Sequence, residues 1–293
     1  STFGTLALTG SNVAVTENAA MDLGASTIGG TANFNSTSNV ITDSGTLAIT
    51  GATTINAGTA DITLDQAAST FGALALTGAN VAVTENAATD LAASTVSGTL
   101  GVTSTGAVTD SGTLAITGAT TISASGQDIT LDEAASTFGT LALTGANVAV
   151  TENAATDLGA STVSGTFGIT SGGAITDSGT QTITGAATFT NTAGTNDAIT
   201  LDDASNAFSG TVTFSTDSGS AVTVVDTTAL DLLALSAASL SVTAGGAITD
   251  SGTLAVSGAT TLIASGQDIT LDEAASTFGT LALTGSNVAV TEN

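Results

Sequence analysis

Apolar residues alternate with small or polar ones over stretches of four to six residues along the whole chain. Leu114-Ala-Ile116-Thr, Ile129-Thr-Leu131-Asp and Val148-Ala-Val150-Thr are typical. Period two over so short a length predicts half-buried β-strands, one face turned to a core and the other to water. Gly, Ser, Asn and Asp gather between these stretches, as in Ser125-Gly126-Gln127 and Thr144-Gly145-Ala146-Asn147. Glycine supplies positive φ at turns, and Asn and Asp bond locally to the backbone. No segment carries a convincing helical period. The nearest, ALDLLALSAASL at 229–240, reads as a further strand region because its flanks are strand-like.

The alternation is itself periodic. TDSG begins at Thr42, Thr109, Thr176 and Thr249, in steps of 67, 67 and 73 residues. Phe71, Phe138, Phe208 and Phe278 mark the same phase. Such self-similarity marks a repeat protein. The units run over 1–45, 46–112, 113–179, 180–252 and 253–293, and 180–252 is divergent and six residues longer. Ser1–Asn18 recurs letter for letter at Ser276–Asn293, which suggests a slice of a longer periodic chain.

One unit divides into about three coils: Ala119–Gly139 with 21 residues, Thr140–Gly165 with 26 and Thr166–Gly185 with 20. Three short strands per coil is the rung of a parallel β-helix, each strand pairing with its equivalents one coil away at ~4.8 Å. At ~22 residues per coil, about 13 coils follow. An antiparallel sandwich also has short alternating strands. Near-identical repeats favour the solenoid, because identical rungs stack in register. The fold class expected is therefore all-β, a parallel β-helix solenoid with about three coils per 67-residue repeat, as one continuous segment.

Composition narrows the function. The chain has no Lys, Arg, His, Pro, Cys, Trp or Tyr, against 25 Asp and Glu, for a net charge of −25. Without Cys there are no disulfides and no thiolate chemistry. Without Lys or Arg there is no phosphate-binding surface, which excludes nucleic acid as a partner. An anionic membrane repels such a chain. No apolar run reaches the length of a membrane span, so membrane insertion is not expected. Catalysis by paired carboxylates would lack any basic group beside them. The acids also repeat identically, whereas an active site is normally a unique break in a pattern. A non-enzyme is expected.

The acids recur in phase. Asp43, Asp110, Asp177 and Asp250 sit in TDSG; Asp65, Asp132 and Asp272 close the DITLD stretch; Glu17, Glu85, Glu152 and Glu292 sit in VTEN. Aligned by coil, they are expected to stack as a ladder of carboxylates at one corner. Neighbours ~4.8 Å apart would repel by about 0.9 kcal/mol in water. Such a ladder attracts cations, and an all-oxygen donor set without His or Cys points to Ca²⁺. The candidate ligands are Asp43, Asp65, Glu85, Asp110, Asp132, Glu152 and Asp177. The competing reading is a solvated acidic edge that keeps the protein soluble. No other cofactor is expected. The phenylalanines in phase, Phe3, Phe71, Phe138, Phe208 and Phe278, are expected to form a core column.

Stretches such as GAITDSGTLAITGATTI, DITLDEA, FGTLALTG and NVAVTEN resemble the repeats of very large secreted bacterial proteins. These are the filamentous-haemagglutinin-like exoproteins of two-partner secretion and related giant adhesins. The resemblance covers the whole chain. It implies a right-handed parallel β-helix, export to the cell surface, and a role as an extracellular fibre or adhesin stalk. Self-association, end to end or laterally, and bound cations are the partners it leaves to expect. The alternative is an adhesin module whose contact surface lies in the divergent unit 180–252.

Overall fold

The computed structural model describes residues 2–192, 197–216 and 219–292. Among these, every regular element is a β-strand, and no helix is long and apolar enough to cross a membrane. The chain divides into two compact units, Ser1–Gly145 and Ala146–Asn293. Each is a parallel β-solenoid, and about 14 turns are present in all.

In the first unit one ladder runs from end to end. Thr5–Leu6, Met21–Leu23, Ile41–Asp43, Ile62–Leu64, Val81–Glu85, Leu100–Ser104, Ala119–Ser123 and Thr140–Gly145 each pair in parallel with the next. Their inward residues form a continuous apolar column: Ile62, Leu64, Val81, Val83, Leu100, Val102, Ile122, Leu141 and Leu143 are all buried. Each such side chain contributes about 1.5–3 kcal/mol on burial. The residues between them, such as Thr63, Ala82 and Thr121, point outward, which is the alternation seen in the sequence.

A second ladder joins Val13–Thr16, Ala32–Asn35, Thr53–Asn56 and Leu74–Gly78. It then forks. Leu74 pairs with Leu91 of Thr89–Leu91, whereas Thr77 pairs with Thr95 of Ser94–Val96. A third, shorter ladder of Thr9–Gly10, Ser26–Ile28 and Leu47–Ile49 extends by a bridge to Thr70. The second unit repeats the scheme and contains its own fork. There the eight-residue strand Leu230–Ala237 pairs with both Ile248–Asp250 and Leu254–Ile263. The 229–240 segment is thus strand, as its flanks predicted.

The coils are shorter than the sequence suggested in one place. The stretch 73–98 corresponds to the 26-residue coil expected at Thr140–Gly165, yet Leu74 is already covered by Leu91, 17 residues on. The reason is local. Leu74–Gly78 passes through only Ala79 and Asn80 before Val81–Glu85 begins, so two strands that read as one side of a coil belong to two.

Coil backbones touch where glycines stack. A Cβ on Gly118 would lie 2.5 Å from the Gly98 carbonyl oxygen, and one on Gly139 would lie 2.6 Å from that of Gly118. Only a residue without a side chain fits there. Gly101, by contrast, has only the Val81 oxygen nearby, at 3.8 Å. Gly118→Ala is expected to destabilise by about 1–3 kcal/mol through overpacking. Gly101→Ala is expected to be neutral or to stabilise by up to ~1 kcal/mol, since glycine inside a strand is unfavourable. Thermal melting followed by circular dichroism separates the two, and equal melting temperatures would contradict the glycine stack.

Candidate functional site

The carboxylates do not stand in a ladder. Thr42 pairs with Thr63, which sets Asp43 beside the Leu64–Asp65 step rather than beside another acidic side chain. Asp110 pairs with Leu91, and Glu85 with Ser104. Strand alternation explains this. In Ile41–Asp43 the first and third residues both face inward, so the aspartate follows the isoleucine into the interior. The expected ladder is replaced by separate buried clamps, each joining one coil to the next.

Two kinds of clamp recur. In the first, the TDSG aspartate accepts the backbone N–H of a residue one coil on. Asp43 takes that of Asp65, Asp110 that of Asp132, Asp177 that of Asp202 and Asp250 that of Asp272, each at 2.8 Å. Among the seven candidate ligands, the structure therefore brings together the pairs Asp43–Asp65 and Asp110–Asp132. In each pair the second partner contributes its backbone N–H to the contact. Asp177 meets Asp202 and Asp203 instead. Among the described residues no group of three or more acidic side chains is arranged to hold a metal ion.

In the second kind, the VTEN glutamate reaches inward. Glu85 is fully buried, and its Oε1 accepts the Phe71 N–H at 2.8 Å. Glu17 does the same for Phe3, and Glu292 for Phe278 at 3.0 Å. The Glu85 Oε2 faces the buried Thr89 hydroxyl without a bond of ordinary geometry. In the second unit the equivalent pair is closed: Thr156 donates to Glu152 Oε2 at 2.9 Å. Phe71, Phe138 and Phe208 are buried, as the core reading requires, but Phe3 is 47% exposed. The largest aromatic cluster is elsewhere. Phe189 stacks on Phe214 at 5.7 Å and meets Phe167 and Phe208 edge-on.

Serines extend the scheme and were not foreseen. Ser69, Ser136 and Ser276 are buried and accept the N–H of Leu47, Leu114 and Leu254, each 22 residues earlier and 3.0 Å away. The divergent repeat replaces this serine with Asn206, whose Oδ1 accepts the Gln181 N–H at 2.7 Å while its Nδ2 donates to Asp177. It also buries Asp226, which accepts both the N–H and the hydroxyl of Thr228 at 2.8 Å. The signal was present in the sequence: these polar residues sit in phase with the inward apolar positions.

Burial dominates the titration of the clamps. It pushes Asp43, Glu85, Asp110, Asp177, Asp226 and Asp250 above the ordinary carboxylate range, while donor N–H groups pull the other way. On the surface, the Thr5 and Ser44 hydroxyls lower Asp22. No cation exists in the sequence to offset the buried charge.

A raised folded-state value means that the folded protein holds protons the unfolded chain releases. The resulting stability is full below the unfolded carboxylate value of about 4 and is lost as pH rises through the higher folded values. The protein is therefore expected to resist denaturant better at about pH 5 than at about pH 7.5, the reverse of ordinary acid denaturation. Glu85→Gln keeps an oxygen for the Phe71 N–H and removes the charge, so it should reduce this pH dependence. Glu85→Ala leaves that N–H without its partner and should cost about 1–3 kcal/mol. Urea midpoints at the two pH values test both; a wild-type midpoint that falls on acidification would refute the scheme.

No curated protein and no solved structure matches the chain significantly. A family model does match, at 10–77, 78–144, 145–215 and 219–285, four consecutive copies that cover most of the sequence. The match restates in independent terms what the strand registers show, a tandem repeat of about 67 residues folded as a β-solenoid. The chain belongs to the family described as repeats of unknown function (DUF5649).

Proposed function

We propose that the chain is a non-catalytic structural segment of an extracellular fibre or adhesin stalk. The observation that carries this reading is the unbroken parallel ladder of the first unit, from Thr5–Leu6 to Thr140–Gly145, in which every coil is bonded to the next. Pulling such a stack along its axis loads many backbone bonds together, reinforced by the Asp, Glu and Ser clamps at each step. The composition supports the same reading. A chain without His, Lys, Arg, Cys or Tyr has few catalytic groups, and its most perturbed carboxylates are engaged with backbone. The absence of Lys and Arg also removes every trypsin-type cleavage site, which suits an exposed extracellular location. Electron microscopy of the native source material is the test. Long, thin, uniform filaments with a ~4.8 Å axial spacing in fibre diffraction are expected. Compact particles without that spacing would sink the structural reading.

A second reading places a contact surface in the divergent unit 180–252. The supporting observation is a β-bulge. The register against Val212 and Thr213 shifts at Leu233, and that leucine stands 39% exposed. Residues 193–196 and 217–218 of this unit lie outside the described residues. Replacing 180–252 by a copy of 113–179 should abolish adhesion of the source cells while keeping a β-rich circular dichroism spectrum. Adhesion that survives the exchange would remove this reading.

A further inference from the structure

The repeat and the coil are not commensurate, and each unit shows it by itself. In the first unit Thr42 stands beside Thr63, Thr63 beside Ala82, and Ala82 beside Gly101, so three coils from one TDSG end at Gly101. The next TDSG begins at Thr109, eight residues later. It stands beside Asp90 and Thr130, in a different ladder. In the second unit Thr176 leads to Thr200, Thr223 and Ser241. The following TDSG begins at Thr249, again eight residues later, beside Asp231.

The agreement is not a matter of chain length. The three coil steps are 21, 19 and 19 residues in the first case and 24, 23 and 18 in the second. The divergent repeat has six additional residues. It takes them up inside its coils and its advance is unchanged. What the two repeats share is the number of coil and strand steps, not the number of residues. The forks at Leu74–Gly78 and Leu230–Ala237 are where one strand position becomes two and the advance is made.

We propose that this phase advance is what the repeat preserves, and that it sets how the protein meets a partner. Equivalent surface groups of successive repeats lie three coils apart and one strand further round, on a spiral rather than along one face. The surface pair of an aspartate and a serine shows the arrangement. Ser44 donates to Asp22 at 2.8 Å and Ser111 to Asp90 at 3.0 Å in the first unit; Ser178 donates to Asp157 at 2.9 Å and Ser251 to Asp231 in the second. A partner reading one repeat reaches its motif from one side, and the next copy faces another. A multivalent partner has to wrap, and a flat one engages only a fraction of the copies. This holds whether the chain is a stalk or a binding module.

The absence of cysteine makes the test clean, because introduced cysteines are the only labelling sites. Ser44, Thr103, Ser111, Ser178, Thr243 and Ser251 are all exposed. Spin labels on Ser44→Cys with Thr103→Cys probe positions three coils apart on one ladder, about 14–15 Å at the backbone. Labels on Ser44→Cys with Ser111→Cys probe equivalent positions of successive repeats. The second pair is expected to show the weaker dipolar coupling. The pair Ser178→Cys with Thr243→Cys, set against Ser178→Cys with Ser251→Cys, repeats the comparison in the second unit. Coupling in the repeat-equivalent pairs as strong as in the same-ladder pairs would overturn the proposal. Because each unit is tested separately, a single misfolded variant does not decide the outcome.

Discussion

The structure depends on one constraint: every backbone donor and acceptor of a coil has to be met by the coil before or after it. Buried peptide groups without partners are costly. A solenoid meets the demand along its strands with parallel ladders, but its corners break the ladder at every turn. The recurring Asp, Glu and Ser side chains lie at these breaks. Asp110 serves the N–H of Asp132, Glu85 that of Phe71 and Ser136 that of Leu114. The polar residues of the interior are therefore corner pieces of the backbone network, in a chain where neither disulfides nor ion pairs are available.

The same constraint explains how the divergent repeat departs from the others without losing the fold. Asn206 takes the serine's place and serves both the Gln181 N–H and the Asp177 carboxylate. Asp226 turns its acceptor to its own neighbour, Thr228. The interior there is refilled with rings, Phe167, Phe189, Phe208 and Phe214, where other repeats use aliphatic side chains. Polar corner and apolar filling change together, so that each coil still presents a complete set of donors to the next.

The fold was legible because period two is a local signal. Ile62-Thr-Leu64 announces its inward and outward residues without reference to the rest of the chain, and the ambiguous run at 229–240 resolved as strand for the same reason. The sites were less legible. Alternation applied to Ile41-Thr-Asp43 places the aspartate inside, but the general rule that charged residues face water points outward. The geometry sided with alternation because a backbone N–H was waiting. The coil boundaries failed differently. Nothing in composition distinguishes the two-residue connection Ala79–Asn80 from a turn within a coil, so Leu74–Gly78 and Val81–Glu85 were assigned to the same rung. The stacking of Gly98, Gly118 and Gly139 was equally hidden, since their closeness arises only once coils are in contact.

The registers also bear on how the chain is made. In every ladder described, a strand bonds to segments about 20 residues away and to nothing remote. Parallel sheets usually fold slowly because loop closure has to precede the contacts that reward it. Here each closure spans a single coil, and the coil already formed offers its edge as a template for the next. Folding can then proceed as the chain emerges, from one end, at a cost per step that does not grow with length. A polypeptide of this kind can be extended indefinitely by duplication without becoming harder to fold.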